Sequence, residues 1–455
     1  MTLPRQRVVT VADLFCGAGG TSTGACQAIR ELGHIPKLTA INHWQVAVDS
    51  HSANHPGQRH LCASVDSLNP RHLFAEGELD ILWGSPECTH HSRARGGKPM
   101  KDQSRATAWC ITRWAEALRP DIIFVENVPE FAEWGPLGSN SLPLISRRGE
   151  TFRAWLETLR SIGYRVDHRI LCAADYGDPT TRKRLFIQAV RGRRKIVWPE
   201  PTHQPTNDAD LFTGTLPRWR AARDIVDWSI PGRSIYGRKK PLAPKTLARI
   251  AEGLRKYGIK PSVVMMEHGG RVMDADHPLP TITTARGGAM AIVEPFLLPQ
   301  QSCGILRSVS LPCPTVSTSG AIALIEPCLL PQHNGTALRS IEEPFPTVCG
   351  SGSIALVEPF LVKYYGTATT IPIDEPLDTV TTKDRFGLAL PEVTLEGERY
   401  RLDIRFRMLT PGELTKAQGF PSEYRFSGTK TEQVRQIGNA VPCGFARALV
   451  RAALG

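Results

Sequence analysis

The 455-residue sequence has no run approaching the roughly 18 apolar residues that a membrane-spanning helix needs. Its opening, MTLPRQRVV, lacks the apolar stretch of a secretory signal peptide, so a cytoplasmic location is expected. There is no CxxC pair. The 11 cysteines are odd in number and irregularly placed, which argues against a zinc ribbon or a disulfide framework. Most should be small buried hydrophobes in a reducing compartment. The adjacent His90 and His91 point in different directions and have no partner at ligand spacing, so no metal site is expected. No long Lys/Arg run occurs, which excludes a basic tail. The net charge is nonetheless +11. That balance suits an anionic partner, nucleic acid first, or marks a merely basic enzyme. What remains, 41% hydrophobic and 22% charged, can build the cores of two or three globular domains.

The apolar runs alternate with helical patterns. VVTVADLF (8–15) reads as a buried strand leading through CGAGGTSTG into the helix ACQAIRELG. LTAIN (38–42) is a second strand with VAVDSHSAN as its helix, and ELDILWGSP (78–86) is a third. RATAWCITRWAEALRP (105–120) has helical spacing and DIIFVENV (121–128) is another strand. FRAWLETLRSIG is a helix, YRVDHRILCAADYG a strand and turn, and RLFIQAV a strand. This alternation predicts a doubly wound α/β domain over about residues 1–200, completed by a C-terminal helix at about 428–455. Between them, 201–427 reads as a second, β-rich domain. It contains four repeats at about 278–392, beginning at Thr281, Thr315, Thr347 and Thr379, with Glu294, Glu326 and Glu358 spaced 32 apart. β-Branched residues with Pro and Gly punctuation predict short strands and turns stacked on their neighbours. The stretch QVRQIGNAVPCGFARALVRAAL reads as one helix packing back on the first domain.

Several motifs fall at the ends of the predicted strands, the edge where open α/β sheets bind ligands. Asp13–Gly20 (DLFCGAGG) is Gly-rich, as a loop approached by a ligand must be, or simply a tight strand–helix turn. Asp66 follows a short strand and is either a ligand-binding carboxylate or a helix cap. Cys88, in GSPECTHHS, lies close in sequence to Arg93, Arg95 and Lys98, surroundings that favour a thiolate. Glu126 ends an apolar strand. Arg182 and Arg184 alternate along one strand face, aimed at the same edge or at solvent.

Taken in order, these motifs resemble the cytosine-5 DNA methyltransferase family over roughly 1–190 and 405–450. DLFCGAGG resembles its cofactor loop, Pro86…Cys88 its nucleophile segment, ENV and TRKR its next motifs. RMLTPGELTKAQGFP and RQIGNAVP resemble its last two. The resemblance implies a Rossmann-like S-adenosylmethionine-dependent domain and a target-recognition domain. It implies Cys88, Glu126, Arg182 and Arg184 as catalytic residues. Phe15, Gly17, Gly19, Asn42, Asp66, Pro86, Asn439 and Ala440 would hold the cofactor. Double-stranded DNA, bound by a monomer that flips the target base, would be the substrate. A bacterial or phage-encoded chain with a cognate restriction enzyme as partner fits the same resemblance. The chain departs from the pattern at three places: Glu87 intervenes before Cys88, which Thr89 follows; Asn42 or His43 replaces an acidic residue; Thr180 replaces a Gln. An RNA-directed (tRNA) enzyme, an inactive DNA-binding paralogue and a nicotinamide-dependent oxidoreductase are the competing readings.

Overall fold

The computed structural model describes residues 6–86, 107–139, 142–205, 216–230, 232–244, 246, 247, 250, 262–265, 272–280, 290–298 and 398–455, with short strands between 307 and 395. The chain divides into two compact units. One comprises Met1–Asp227, Asp276–Ala289 and Leu409–Gly455; the other comprises Trp228–Ala275 and Met290–Met408.

In the first unit the apolar runs become strands because both faces of the sheet are covered. They are β1 (Val8–Leu14), β2 (Ile35–Asn42), β3 (Arg59–Cys62), β4 (Ile81–Gly84), β5 (Ile122–Asn127), β6 (Tyr164–Cys172) and β7 (Lys183–Arg191). Their order is β3-β2-β1-β4-β5-β7-β6. The first five run parallel, and β7 lies antiparallel between β5 and β6. The helices α1 (Gly20–Glu31), α2 (Gln45–Asn54), α3 (Thr107–Leu118) and α4 (Glu150–Ser161) alternate with them. One core packs Trp114, Phe131 and Trp155 against the sheet; the other packs Trp83, Phe186 and Phe445. Strand order reverses direction at β1 and β4, so a crevice opens beyond their C-terminal ends.

The C-terminal segment forms α5 (Pro411–Ala417), α6 (Lys430–Asn439) and α7 (Cys443–Leu454). Thr410 with Glu413, and Thr429 with Glu432, start α5 and α6 as reciprocal capping boxes. The single helix expected across 433–454 is therefore two. Ala440 is extended, and Pro442, which has no amide hydrogen to donate, stands before the second helix. α7 packs on α1 at very short range. A Cβ added to Gly24 would meet the Arg447 nitrogen at 2.8 Å and the Ala446 methyl at 2.9 Å.

The first unit also runs past the boundary near 200 that composition suggests. Ala222 N–H donates to the His277 carbonyl (2.8 Å), Leu279 N–H to Pro179 (2.9 Å), and Asp227 N–H to the Glu413 carboxylate (2.8 Å). These bonds tie 201–227, 276–280 and α5 to the α/β unit, although the sequence placed all three in the second domain.

The second unit is built on antiparallel strands. β8 (Arg233–Ser234), β9 (Ser262–Met265), β10 (Val272–Asp274), β11 (Met290–Leu298), β12 (Arg307–Ser308), β19 (Val393–Leu395) and β20 (Glu398–Met408) share one sheet. β13 (Cys328–Pro331), β14 (Arg339–Ser340) and β15 (Ile354–Leu356) form a second. β16 (Phe360–Lys363), β17 (Thr370–Pro372) and β18 (Phe386–Ala389) form a third. The sequence repeat reappears in the pairing. Leu297 faces Arg307, Leu329 faces Arg339 and Leu361 faces Ile371, while Leu329–Leu356 becomes Leu361–Leu388 in the next copy. Most of the repeat region, including Thr315, Thr347 and Thr379, lies outside the described residues.

A buried polar chain anchors the Gly-rich loop after β1. Ser22 Oγ donates to Asp13 (2.6 Å), and His51 Nε2 lies 2.9 Å from Ser22 Oγ. His51 Nδ1 in turn meets His60 Nε2 at 3.0 Å. With the Ser22 proton given to Asp13, His51 must donate from Nε2 and accept at Nδ1. Alongside, Thr23 Oγ1 donates to the Gly19 carbonyl (2.7 Å) and meets His55 Nε2 (3.1 Å), and Tyr424 donates its hydroxyl to the Ala18 carbonyl. Burial pushes the Asp13 carboxyl up to about 7 and His55 down to about 4, and holds His51 well below the usual imidazole range.

Two outcomes follow from this packing. Gly24→Val should cost roughly 1–3 kcal/mol by forcing α1 and α7 apart, read as a lowered urea midpoint. His55 binds its proton near 6.5 when unfolded but only near 4 when folded, so the stability it contributes is present above pH 6.5 and lost as pH falls through that window. The stability gap between wild type and His55→Gln should therefore shrink on acidification, by on the order of 2 kcal/mol between about pH 7.5 and 4.5. A gap independent of pH would show that His55 titrates normally.

Candidate active site

The C-terminal ends of β1–β5 and the start of β7 meet along one sheet edge. β1 ends at Leu14, and Phe15 takes φ 62°, a left-handed conformation that a bulky side chain adopts only under constraint. Cys16 N–H bonds back to the Ile41 carbonyl (3.1 Å), and Gly19, at φ 100°, leads into α1. A side chain at Gly19 would strike Tyr424 and His51, whereas a Cβ at Gly17 would meet nothing within 4 Å. The loop is thus packed behind Gly19 and open at Gly17.

β4 joins this loop through the Ser85 N–H, which donates to the Leu14 carbonyl (3.2 Å). Ser85 Oγ is buried with no protein hydrogen-bond partner. Pro86 is buried, and its carbonyl accepts from the Asn127 amide (3.2 Å). The Asn127 oxygen accepts the Val128 N–H (2.9 Å), which turns the chain at the end of β5. Asn127 therefore ties the strand bearing Glu126 to the segment leading to Cys88. Glu87 and Cys88 themselves lie outside the described residues.

Glu126 and Arg184 come together. The β5–β7 register places Glu126 opposite Phe186 and Asn127 opposite Leu185, so Arg184 reaches back over the strand end. Its Nε lies 3.0 Å from Glu126 Oε1, and both side chains are only about a tenth exposed (11% and 10%). Arg184 also donates to the Lys183 carbonyl (2.8 Å). Arg182 is buried one alternation earlier, where its carbonyl accepts from Ala173 N–H (3.0 Å). Thr180 and Thr181, just before the arginines, are pinned to Leu279 and Pro280. Thr181 N–H donates to Leu279 (2.6 Å) and Thr180 Oγ1 to Pro280 (3.1 Å).

On the other side of β1, Asn42 ends β2 and is buried. Its carboxamide oxygen caps the Trp44 N–H (2.9 Å), the residue that precedes α2. That oxygen already accepts one local hydrogen bond, and the carboxamide N–H groups add two donors. Trp44 lies under the Arg435 guanidinium, 4.6 Å from the ring centre. Beyond β3, Asp66 stands exposed in a turn, where the Ser64 hydroxyl holds its carboxyl below the usual carboxylate range. Ala440 is buried, and a Cβ on Gly20 would come within 3.4 Å of its methyl; Asn439 is exposed at the end of α6.

Burial pushes up the thiols of Cys16, Cys26, Cys110, Cys172 and Cys443, so none of these five is an activated nucleophile. Among the described residues, no cluster of three or more His, Cys, Asp or Glu could hold a metal ion, and no helix is long and apolar enough to cross a membrane. Sequence reasoning missed the hydrogen bonds that the Arg113 guanidinium makes to the carbonyls of Val65, Asp66 and Leu68, the Trp44–Arg435 stack and the Asp13–Ser22–His51 chain. The four-residue spacing of His51 and His55, which sets both rings on one face of α2, was the available signal for His51. Arg113 looks like any exposed helix arginine.

A family model for C-5 cytosine-specific DNA methylases matches residues 9–227 and 376–454. The Type II methylase M.HgiDII of Herpetosiphon aurantiacus is 28% identical over 224 residues, 48% of this chain and 54% of that protein. The Type II methyltransferase M.Sau3AI of Staphylococcus aureus is 29% identical over 188 residues, 39% of this chain and 42% of that one. The match thus spans about half the length of these relatives or less. The solved methyltransferase EhMeth of Entamoeba histolytica aligns over 99% of this chain and 98% of its own, at 14% identity and a TM-score of 0.47. The matched residues take in the loop after β1, the Glu126–Arg184 pair and the C-terminal helices, and the chain belongs to the C-5 cytosine-specific DNA methylase family.

Proposed function

We propose that this chain transfers a methyl group from S-adenosylmethionine to C5 of cytosine in double-stranded DNA. The observation that carries the reading is the Glu126–Arg184 pair, held at the same sheet edge as the loop of Phe15, Gly17 and Gly19. The edge has what an adenosyl amino acid needs: open space at Gly17, the unpartnered Ser85 Oγ, the N–H groups of Asn42 and the exposed Asp66 carboxylate. Phe15, Gly17, Gly19, Pro86, Asn439 and Ala440 would hold its amino-acid end and flank, Asn42 its ribose, and Asp66 its adenine amino group. When bound, the cofactor supplies an electrophilic methyl group.

Cytosine C5 is a weak nucleophile. The Cys88 thiolate, favoured by Arg93, Arg95 and Lys98 close to it in sequence, adds to C6 and raises electron density at C5. Glu126, holding a proton or sharing one with N3, stabilises the negative charge that develops on the ring, and Arg184 fixes the orientation of that carboxyl group. Arg182 and Arg184 hold the base oxygen O2. Loss of the C5 proton and departure of Cys88 restore the aromatic ring. The target base lies inside a duplex and must be flipped out to reach this edge. The second unit, with the basic segment Arg233–Lys240, would contact the DNA as a target-recognition domain. The chain would act as a monomer, with a cognate restriction enzyme as its biological counterpart.

The decisive experiment traps the protein on duplex DNA containing 5-fluorocytosine in the presence of cofactor. Wild type should form a covalent complex, and Cys88→Ser should form none. Normal trapping by Cys88→Ser would remove Cys88 as nucleophile, and methyl transfer to tRNA but not DNA would overturn the substrate. Glu126→Gln should lower kcat by about 10²–10³-fold with little change in cofactor KM. Arg184→Lys should fall in the same parameter, since a lysine lacks the planar fork that now orients Glu126.

A further inference from the structure

Arg113 projects from α3, and its residue as a whole is exposed. Its guanidinium nevertheless makes three hydrogen bonds to a single turn. Nη1 donates to the Asp66 carbonyl (2.9 Å), and Nη2 donates to the carbonyls of Val65 (2.8 Å) and Leu68 (3.2 Å). Few other bonds hold this turn: Ser67 N–H to the Ser64 carbonyl (3.2 Å), and the Ser64 and Ser67 hydroxyls.

Peptide planarity makes the consequence specific. A carbonyl and the following N–H point in opposite directions. With the Val65 and Asp66 carbonyls drawn towards α3, the N–H groups of Asp66 and Ser67 are turned away from it. The Ser64 hydroxyl donates to the Asp66 carboxylate and favours its charged form, and the neighbouring backbone N–H groups and the Arg113 charge act in the same sense. The planar fork suits this task because one side chain spans three acceptors in a fixed geometry. α3 is itself firmly seated, with Ile111, Trp114, Ala115 and Leu118 all in the core.

We propose that Arg113 is a positioning residue for the adenine end of the cofactor, acting by fixing the turn that carries Asp66. The inference rests on the cofactor reading given above. Arg113 touches no reacting atom, so its loss should appear in cofactor affinity and not in the chemical step.

The test is calorimetric titration of the full chain with S-adenosylhomocysteine, together with steady-state kinetics on duplex DNA. Arg113→Ala should raise the cofactor Kd about tenfold, the loss of charge-assisted hydrogen bonds, while kcat at saturating cofactor and KM for DNA stay within about twofold. Arg113→Lys keeps the charge but cannot span the three carbonyls, and should recover only part of the affinity. Because Arg113 acts through Asp66, the double variant Asp66→Ala/Arg113→Ala should bind no more weakly than Asp66→Ala alone. A Kd for Arg113→Ala within about twofold of wild type, or additive losses in the double variant, would overturn the proposal. Wild type that fails to bind would overturn the cofactor reading with it. Wild type that binds, Asp66→Ala that weakens and Arg113→Ala that does not would overturn the positioning role alone.

Discussion

The candidate site depends on one strand running the wrong way. In a sheet whose first five strands are parallel, β7 enters antiparallel between β5 and β6. A parallel strand would bring its C-terminal end to the ligand edge; β7 brings its beginning. That reversal sets Arg184 over the end of β5, in contact with the Glu126 carboxylate. Two charged groups about a tenth exposed are costly unless paired, and breaking such a pair leaves an uncompensated buried charge. The geometry that orients Glu126 is therefore also the one that lets it be buried.

The other half of the site is held from behind. The Gly-rich loop is fixed by side chains packed around it: Asp13, Ser22 and His51 in one buried chain, Thr23 and Tyr424 against its carbonyls. Asn42 follows the same economy. Its oxygen caps the entry to α2, and its N–H groups remain as donors. An aspartate or glutamate at that place would present acceptors, so the departure alters the chemistry of the position and not merely its charge.

Much of this was legible before any coordinates. The apolar runs 8–15, 121–128 and 184–190 were strands because parallel and central strands bury both faces and so read as unbroken hydrophobic stretches. Glu126 and Arg184 could be placed at one edge because each lies at the end of such a run. The repeat was legible as a period, and the period returned as a pairing register. Other features were hidden for physical reasons. Periodicity continued through 433–454 and concealed the break that Pro442 imposes. The extent of the α/β unit depends on bonds such as Leu279 to Pro179, which join residues 100 apart and leave no local pattern. Arg113 is invisible in sequence because its partners are main-chain carbonyls, which every residue carries.

The contact between α1 and α7 carries a consequence for synthesis. Gly24 lies against Ala446 and Arg447, and the whole second unit is threaded between them in the chain. On the ribosome, residues 20–31 emerge long before residues 443–454, at about 5–20 residues per second. One face of α1 therefore waits, with its glycines uncovered, while the repeats are made. Closure of that face belongs to the last steps of folding, and contacts of such long sequence separation are slow to form. The repeat unit can change length by whole copies without altering which residues meet at this joint, at the small added entropic cost of a longer closure.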